Sequence, residues 1–172
     1  MCKIKFLLLI LLSACSITTM SQTTTRIFVV RHADREPGDN LNAAGLIRAD
    51  ELRRVLLLTG IDSVYSTNYT RTKKTVQPLA EAKNLPILLY DSNPPLVKRI
   101  LKYNKGKTLL VAGHSNTVAQ FIAACGCLPP FQHIPDTQFD NLFLVIIQHP
   151  PTNRSKKRTC RLLQMKYGLA TN

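Results

Sequence analysis

The chain has 172 residues, 45% of them hydrophobic, and a formal net charge of +13 at pH 7. That length and apolar fraction fit one domain large enough to bury a core, and they argue against a disordered chain. The charge attracts anionic partners without identifying them. Aromatic residues are only 6% of the chain and are not interleaved with the basic residues, so nucleic acid is not an expected partner.

The first residues read as an export signal. Lys3 and Lys5 precede an apolar run from Phe6 to Leu12, far short of the roughly 20 residues a spanning helix needs. Leu12-Ser13-Ala14-Cys15 resembles a bacterial lipobox. It implies that residues 1–14 are a signal peptide and that Cys15 is lipidated, anchoring the protein to a membrane without a transmembrane helix. Ser16 follows, so no aspartate stands there to suggest retention at the inner membrane. The expected location is the cell envelope, lipid-anchored to a bacterial membrane and facing the periplasm or the cell exterior. Residues 15–25, rich in Thr, Ser and Gln, read as a tether too polar to pack, and residues 26–168 as the folded domain.

Arg26 to Arg31 (RIFVVR) is almost unbroken in apolarity, as a central strand covered on both faces would be. It ends at His32, and Asp34 to Asn40 carries loop chemistry. From Ala43 to Leu58, Leu46, Ala49, Leu52 and Leu56 recur at helical spacing, with Asn42 as N-cap and Gly60 as a stop. Ser63 to Ser66 is a second strand. Thr70 to Lys83 is a second helix with Arg71 in its first turn and Val76, Leu79 and Ala80 on one face. Pro86 to Tyr90 predicts a third strand, and Leu96 to Tyr103 a helix after Pro94-Pro95.

Thr108 to Ala112 is the next buried strand. After Gly113-His114-Ser115-Asn116 a helix begins, with Val118, Phe121, Ile122 and Cys125 on one stripe. Leu142 to Gln148 and Cys160 to Tyr167 are late strands joined by a Pro- and Lys-rich connection. This alternation predicts an α/β three-layer sandwich, a mainly parallel sheet flanked by helices, with an antiparallel strand at the end. The basic clusters Lys102, Lys105, Lys107 and Arg154, Lys156, Lys157, Arg158, Arg161, Lys166 carry no matching acids, and most of the 154–158 run reads as solvated loop charge. Cys125, Cys127 and Cys160 suggest no particular pairing. Four dispersed histidines make no zinc pattern, so no metal is expected.

Ligand sites of such sheets lie beyond the carboxyl ends of the strands, where His32, the segment from Ser66 to Arg71 and His114 all fall. Phosphoryl transfer needs a nucleophile and cations around the phosphoryl oxygens. Neutral His32 can attack phosphorus, Arg31 and Arg71 offer forked donors, and His114 and Asn116 stand at a helix start.

In order and spacing, RHADR at 31–35, YSTNYTRTKKTVQPLA at 65–80 and GHSNT at 113–117 resemble the motifs of the histidine phosphatase superfamily, also called phosphoglycerate mutase-like. The resemblance runs from about Arg26 to Tyr167. It implies the phosphoglycerate mutase-like fold and a phosphohistidine intermediate on His32. It also implies a phosphoryl group bound by Arg31, Arg71 and His114, and no cofactor. The chain departs from the family at Ala33, where glycine is usual, and in lacking the glutamate that mutase-like members carry after the 86–90 strand. Asp91 is the one acid there, with Val97 and Lys98 nearer the expected spot. Asp34, Asp136 and Asp140 are the other carboxylates in reach, and Asp136, in a loop before a strand, is the expected proton donor. Glu81 reads as an exposed helix residue.

The expected function is hydrolysis of a small phosphomonoester. The alternatives are a phosphoester-binding lipoprotein without turnover and a phosphoprotein, notably phosphohistidine, phosphatase.

Overall fold

The computed structural model describes residues 23–91, 93–150 and 157–171. The expected signal segment, Cys15 and residues 16–22 of the expected tether lie outside them, as do Arg154 and Lys156. The apolar run at 26–31 belongs to a central strand, β1 (Thr23–Arg31). Ile27 and Val29 enter one core and Phe28 and Val30 the other, so both faces are covered.

This strand begins inside the segment expected to be tether. Thr23 pairs with His149, and the buried Thr25 hydroxyl donates to the Asn104 carbonyl at 3.1 Å and accepts from His149 Nε2 at 2.9 Å. Local polarity suggested solvent, but partners far along the chain satisfy these groups and let the β-branched threonines extend the strand.

The remaining elements are α1 (Ala43–Leu56), β2 (Ser63–Ser66), α2 (Thr70–Ala82), β3 (Ile87–Leu89), α3 (Asn93–Tyr103), β4 (Thr108–Gly113), α4 (Ser115–Ala124), β5 (Asn141–His149) and β6 (Thr159–Lys166). They form one six-stranded sheet in the order β3-β2-β4-β1-β5-β6. β1 to β4 are mutually parallel, β5 runs antiparallel to β1, and β6 antiparallel to β5. The strand opposed to the parallel set is therefore one place in from the edge.

Helices α3 and α4 cover one face through Leu96, Ile100, Val118, Phe121 and Ile122. Helices α1 and α2 cover the other through Leu52, Leu56, Val76 and Leu79. The result is the three-layer sandwich expected. Pro94 and Pro95 lie in the first turn of α3, where a missing N–H breaks no helical bond, so the helix starts at Asn93 and not Leu96.

Helix α1 is capped by Asn42, which accepts from the Gly45 N–H at 2.9 Å. Its first turn differs from the expected stripe: Leu46 is 55% exposed, while Gly45 and Arg48 turn inward. The cause is the loop after His32. A Cβ on Gly45 would collide with the Asp34 carbonyl oxygen, which also accepts from the Asn42 N–H at 3.2 Å. Arg48, 4% exposed, donates Nε to Asp34 Oδ2 at 2.6 Å and Nη1 to the carbonyls of Tyr167 at 3.3 Å and Leu169 at 2.8 Å. One guanidinium thus ties the loop after His32 to the C-terminal end.

Cys127 and Cys160 form a disulfide with Cα atoms 5.2 Å apart, while Cys125 is free and buried. The β5–β6 register, which sets Ile147 opposite Cys160, brings that cysteine back to the segment after α4. No local spacing reveals this.

Replacing Arg48 with alanine should lower the unfolding free energy by about 3–5 kcal/mol, because it strands Asp34 and two carbonyls. The urea midpoint of Arg48→Ala measures this. An unchanged midpoint would mean that water replaces the guanidinium without loss.

Candidate active site

The carboxyl ends of β1, β2 and β4 bring together Arg31-His32, Ser66-Thr67 and Gly113-His114. Because Arg31 pairs with Gly113 and the His32 N–H donates to the Gly113 carbonyl at 2.9 Å, the two histidines leave neighbouring strands side by side. Their rings lie 5.6 Å apart between centroids. Gly113 has no room for a side chain, since a Cβ would lie 2.7 Å from Thr117 Oγ1 and 3.1 Å from the Tyr90 hydroxyl.

His32 Nδ1 is 2.8 Å from its neighbour's carbonyl oxygen on Ala33. A carbonyl can only accept, so Nδ1 carries the proton and Nε2 keeps its lone pair. Burial pulls the His32 pKa down to about 4; the Ala33 bond opposes this, and Arg31, Arg71 and His114 add to it. The ring is therefore neutral at pH 7. Burial also lowers His114, helped by Arg71 and Arg31 and opposed by Asp39. His114 Nε2 lies 3.0 Å from Thr67 Oγ1, and the Tyr69 ring meets His114 edge-on.

Arg31, 5% exposed, is wrapped by the loop before β5. Its Nη1 donates to the carbonyls of Pro135 (2.8 Å), Asp136 (3.2 Å) and Gln138 (3.2 Å), and the guanidinium stacks on Phe139 at 4.3 Å. Burial lowers its pKa. Arg71, in the first turn of α2, stacks over Tyr69 and donates Nη1 to Asp39 Oδ1 at 2.7 Å. Both arginines keep a buried Nε with no hydrogen-bond partner among the described residues.

Residues 17–92 match the family model described as histidine phosphatase superfamily (branch 1). No curated protein matches the chain in sequence. Among solved structures, it is similar to mycobacterial hydrolase 2, with a TM-score of 0.67 at 14% identity, covering 86% of this chain and 94% of that one. It is also similar to the protein histidine phosphatase SixA complexed with tungstate (TM-score 0.58, 18% identity, 82% of this chain and 96% of that one). A third likeness is to the mycobacterial glucosyl-3-phosphoglycerate phosphatase complexed with VO3 (TM-score 0.61, 13% identity, 83% and 99%). The chain has the histidine phosphatase fold.

Within this histidine phosphatase fold the unusual Ala33 is accommodated. It is fully buried against Leu41 and Ala49, and its N–H donates to Thr75 Oγ1 at 2.8 Å. The carboxylates separate by their partners. Asp34 is held by Arg48, and Asp140 by Lys166 at 2.8 Å and Thr171 at 2.8 Å. Asp136 does reach the site, but as a partner of Arg31: its Oδ1 is 3.3 Å from Nη2 and its side chain is 94% exposed.

Asp39 was not among the candidates read from sequence. Desolvation pushes its carboxyl up, but the Thr70 N–H and Arg71 outweigh that and hold it below its ordinary value. It caps α2 from a separate loop, taking the Thr70 N–H at 2.8 Å, because Tyr69 offers no cap of its own. No local signal marks it. Asp91 lines a cavity of about 470 Å³ beside His114, together with Thr67, Tyr69, Tyr90, Asn93 and Thr117. Val97 is buried in the core away from that role. Asn116 is exposed in the first turn of α4, and Glu81 is exposed and bonded to Gln77.

The arrangement offers one neutral imidazole whose Nε2 has no hydrogen-bond partner among the described residues, a second imidazole beside it, a buried guanidinium on Arg31 and a partly buried one on Arg71. NMR titration of His32 should give an Nδ1–H tautomer and a midpoint near pH 4. The neutral form, with its Nε2 lone pair, is therefore present at neutral pH and lost as pH falls through about 4. A midpoint at the ordinary histidine value of 6.5 would overturn this.

Proposed function

We propose that the protein is a phosphomonoester hydrolase that works through a phosphohistidine on His32. The observation that carries this reading is the pinned, neutral His32 ring with Nε2 free, set 5.6 Å from the His114 ring. The Nε2 lone pair attacks phosphorus as the ester P–O bond breaks, and the leaving oxygen takes a proton. Water then attacks the phosphorus, the P–N bond breaks, and neutral His32 and phosphate are restored. Arg31, Arg71 and His114 bind the phosphoryl oxygens, and the starts of α2 and α4 add partial positive charge. Asn116, in the first turn of α4, is a further contact for the bound ester. The matched family and the phosphatases that share this fold support the reading.

For the proton donor, Asp136 is engaged by Arg31. Asp91 lines the cavity beside His114 and has no hydrogen-bond or ion-pair partner among the described residues, which favours it as the acid. A phosphoprotein substrate is the second reading, favoured by the likeness to the protein histidine phosphatase SixA. We also propose that the chain is exported and lipid-anchored through Cys15. The Cys127–Cys160 disulfide supports export, since such bonds persist in oxidising compartments.

The test uses an aryl phosphate, whose good leaving group barely needs an acid, and an alkyl phosphate, which does. His32→Ala should abolish turnover of both. Asp91→Asn should slow the alkyl ester by about 10²–10⁴-fold and the aryl ester far less, with Asp136→Asn affecting both esters alike. If the wild-type chain binds phosphate but releases none from the aryl ester, the protein is a binding lipoprotein and the hydrolase reading fails.

A further inference from the structure

The four parallel strands end on the His32 side, so their starts define the opposite pole of the molecule. The chain enters the fold at that pole, at Thr23. Exposed basic residues gather around this entry. Arg26 lies on β1 itself, Lys102 at the end of α3, Lys105 and Lys107 in the turn before β4, and Lys157 and Arg158 just before β6.

Hydrogen bonds hold the Lys105–Lys107 turn against the entering strand. The Gly106 N–H donates to Thr25 Oγ1 at 3.1 Å and the Arg26 N–H to the Lys107 carbonyl at 3.0 Å. Gly106 packs closely there, since a Cβ on it would lie 3.1 Å from the Thr23 methyl group. Lys105 and Arg158 come from different elements but both bear on His149, the residue paired with Thr23, whose pKa is lowered first by burial and then by these two charges.

Acidic residues are distributed the other way. Asp34, Glu36, Asp39, Asp91, Asp136 and Asp140 follow the carboxyl ends of strands or the loops beside them, at the His32 pole. Asp50 and Glu51 pair with Arg53 and Arg54 along α1. At the basic pole the acids are Asp62, which accepts the Thr108 N–H, and Glu81, bonded to Gln77 at the end of α2.

We propose that this basic pole lies on an anionic membrane surface and turns the His32 site away from it. The inference rests on the reading of Cys15 as an anchored N-terminus. A lipidated Cys15 would hold the chain at a membrane, and a basic patch is drawn to anionic headgroups and so sets which face of the domain lies on them. The patch surrounds the point where the anchored segment joins the fold, so the lipid and the charges act on the same surface. Nine residues of β1 separate that surface from His32, about 30 Å at about 3.3 Å per residue. The site therefore faces soluble phosphoesters or proteins, and phosphate groups of the supporting bilayer do not reach it.

The experiment uses the full chain carrying Cys15→Ser, compared with the same chain also carrying Lys105→Glu, Lys107→Glu and Arg158→Glu. Any contribution of the apolar leader is common to both. Co-sedimentation is measured with phosphatidylcholine vesicles, with and without roughly 30% phosphatidylglycerol. The parent should prefer the anionic vesicles, lose that preference at about 0.5 M salt, and bind them at least about tenfold more tightly than the reversed variant.

Equal binding of the two proteins to anionic vesicles overturns the proposal, as does tighter binding to duplex DNA than to vesicles of equal charge. If the reversed chain fails to fold, Lys102→Gln, Lys105→Gln and Lys107→Gln provide a neutral version, expected to show a smaller loss in the same direction. Aryl phosphate turnover is read on the same samples. Turnover without vesicle preference sinks only the membrane pole, and vesicle preference without turnover sinks only the hydrolase.

Discussion

The parallel pairing of β1 with β4 is the constraint on which the site depends. It places Arg31 opposite Gly113, and the bond from the His32 N–H to the Gly113 carbonyl carries the pairing one residue further. Two residues 82 positions apart in sequence, His32 and His114, therefore emerge side by side on strands spaced by an ordinary ladder. The pairing lies in the middle of the sheet with helices on both faces, so the two rings stand at the ends of well-buried strands.

Around that pair, the loops are held by the groups that make the site positive. Arg31 collects three carbonyls from the loop before β5, and Asp39 fastens another loop to Arg71 and to the start of α2. Arg48 holds the turn after His32 to the C-terminal end through Asp34. Guanidinium groups withdrawn from water are costly unless paired, and here the pairing also fixes the loops around the two histidines. The same cations and the same burial keep His32 uncharged, which is the state a nucleophilic imidazole needs.

Charge is also distributed along the strand axis. Carboxylates gather near the strand ends that carry the histidines, and exposed basic side chains gather where the chain enters the sheet. A parallel sheet gives the molecule two chemically different ends, and this sequence uses both.

Much of this was legible before any coordinates. The apolar runs at 26–31 and 108–112, the helical stripes and the order of the RHADR, YSTNYTRT and GHSNT segments determine a parallel α/β sheet with His32, Arg71 and His114 at strand ends, because periodicity and strand-end position are local properties. Other features depended on contacts between distant segments. Thr23–Thr25 joined β1 because β5 and the 104–107 turn satisfy their polar groups. Asp136 turned out to be the partner of Arg31, Asp39 the clasp of Arg71, Asp91 a carboxylate lining the cavity that His114 also lines, and Cys160 the partner of Cys127. A carboxylate or thiol has the same local spacing whichever partner it finds. The sequence alone therefore determined the frame and placed His32, Arg71 and His114 at its strand ends, and only tertiary packing decided which acid meets which cation.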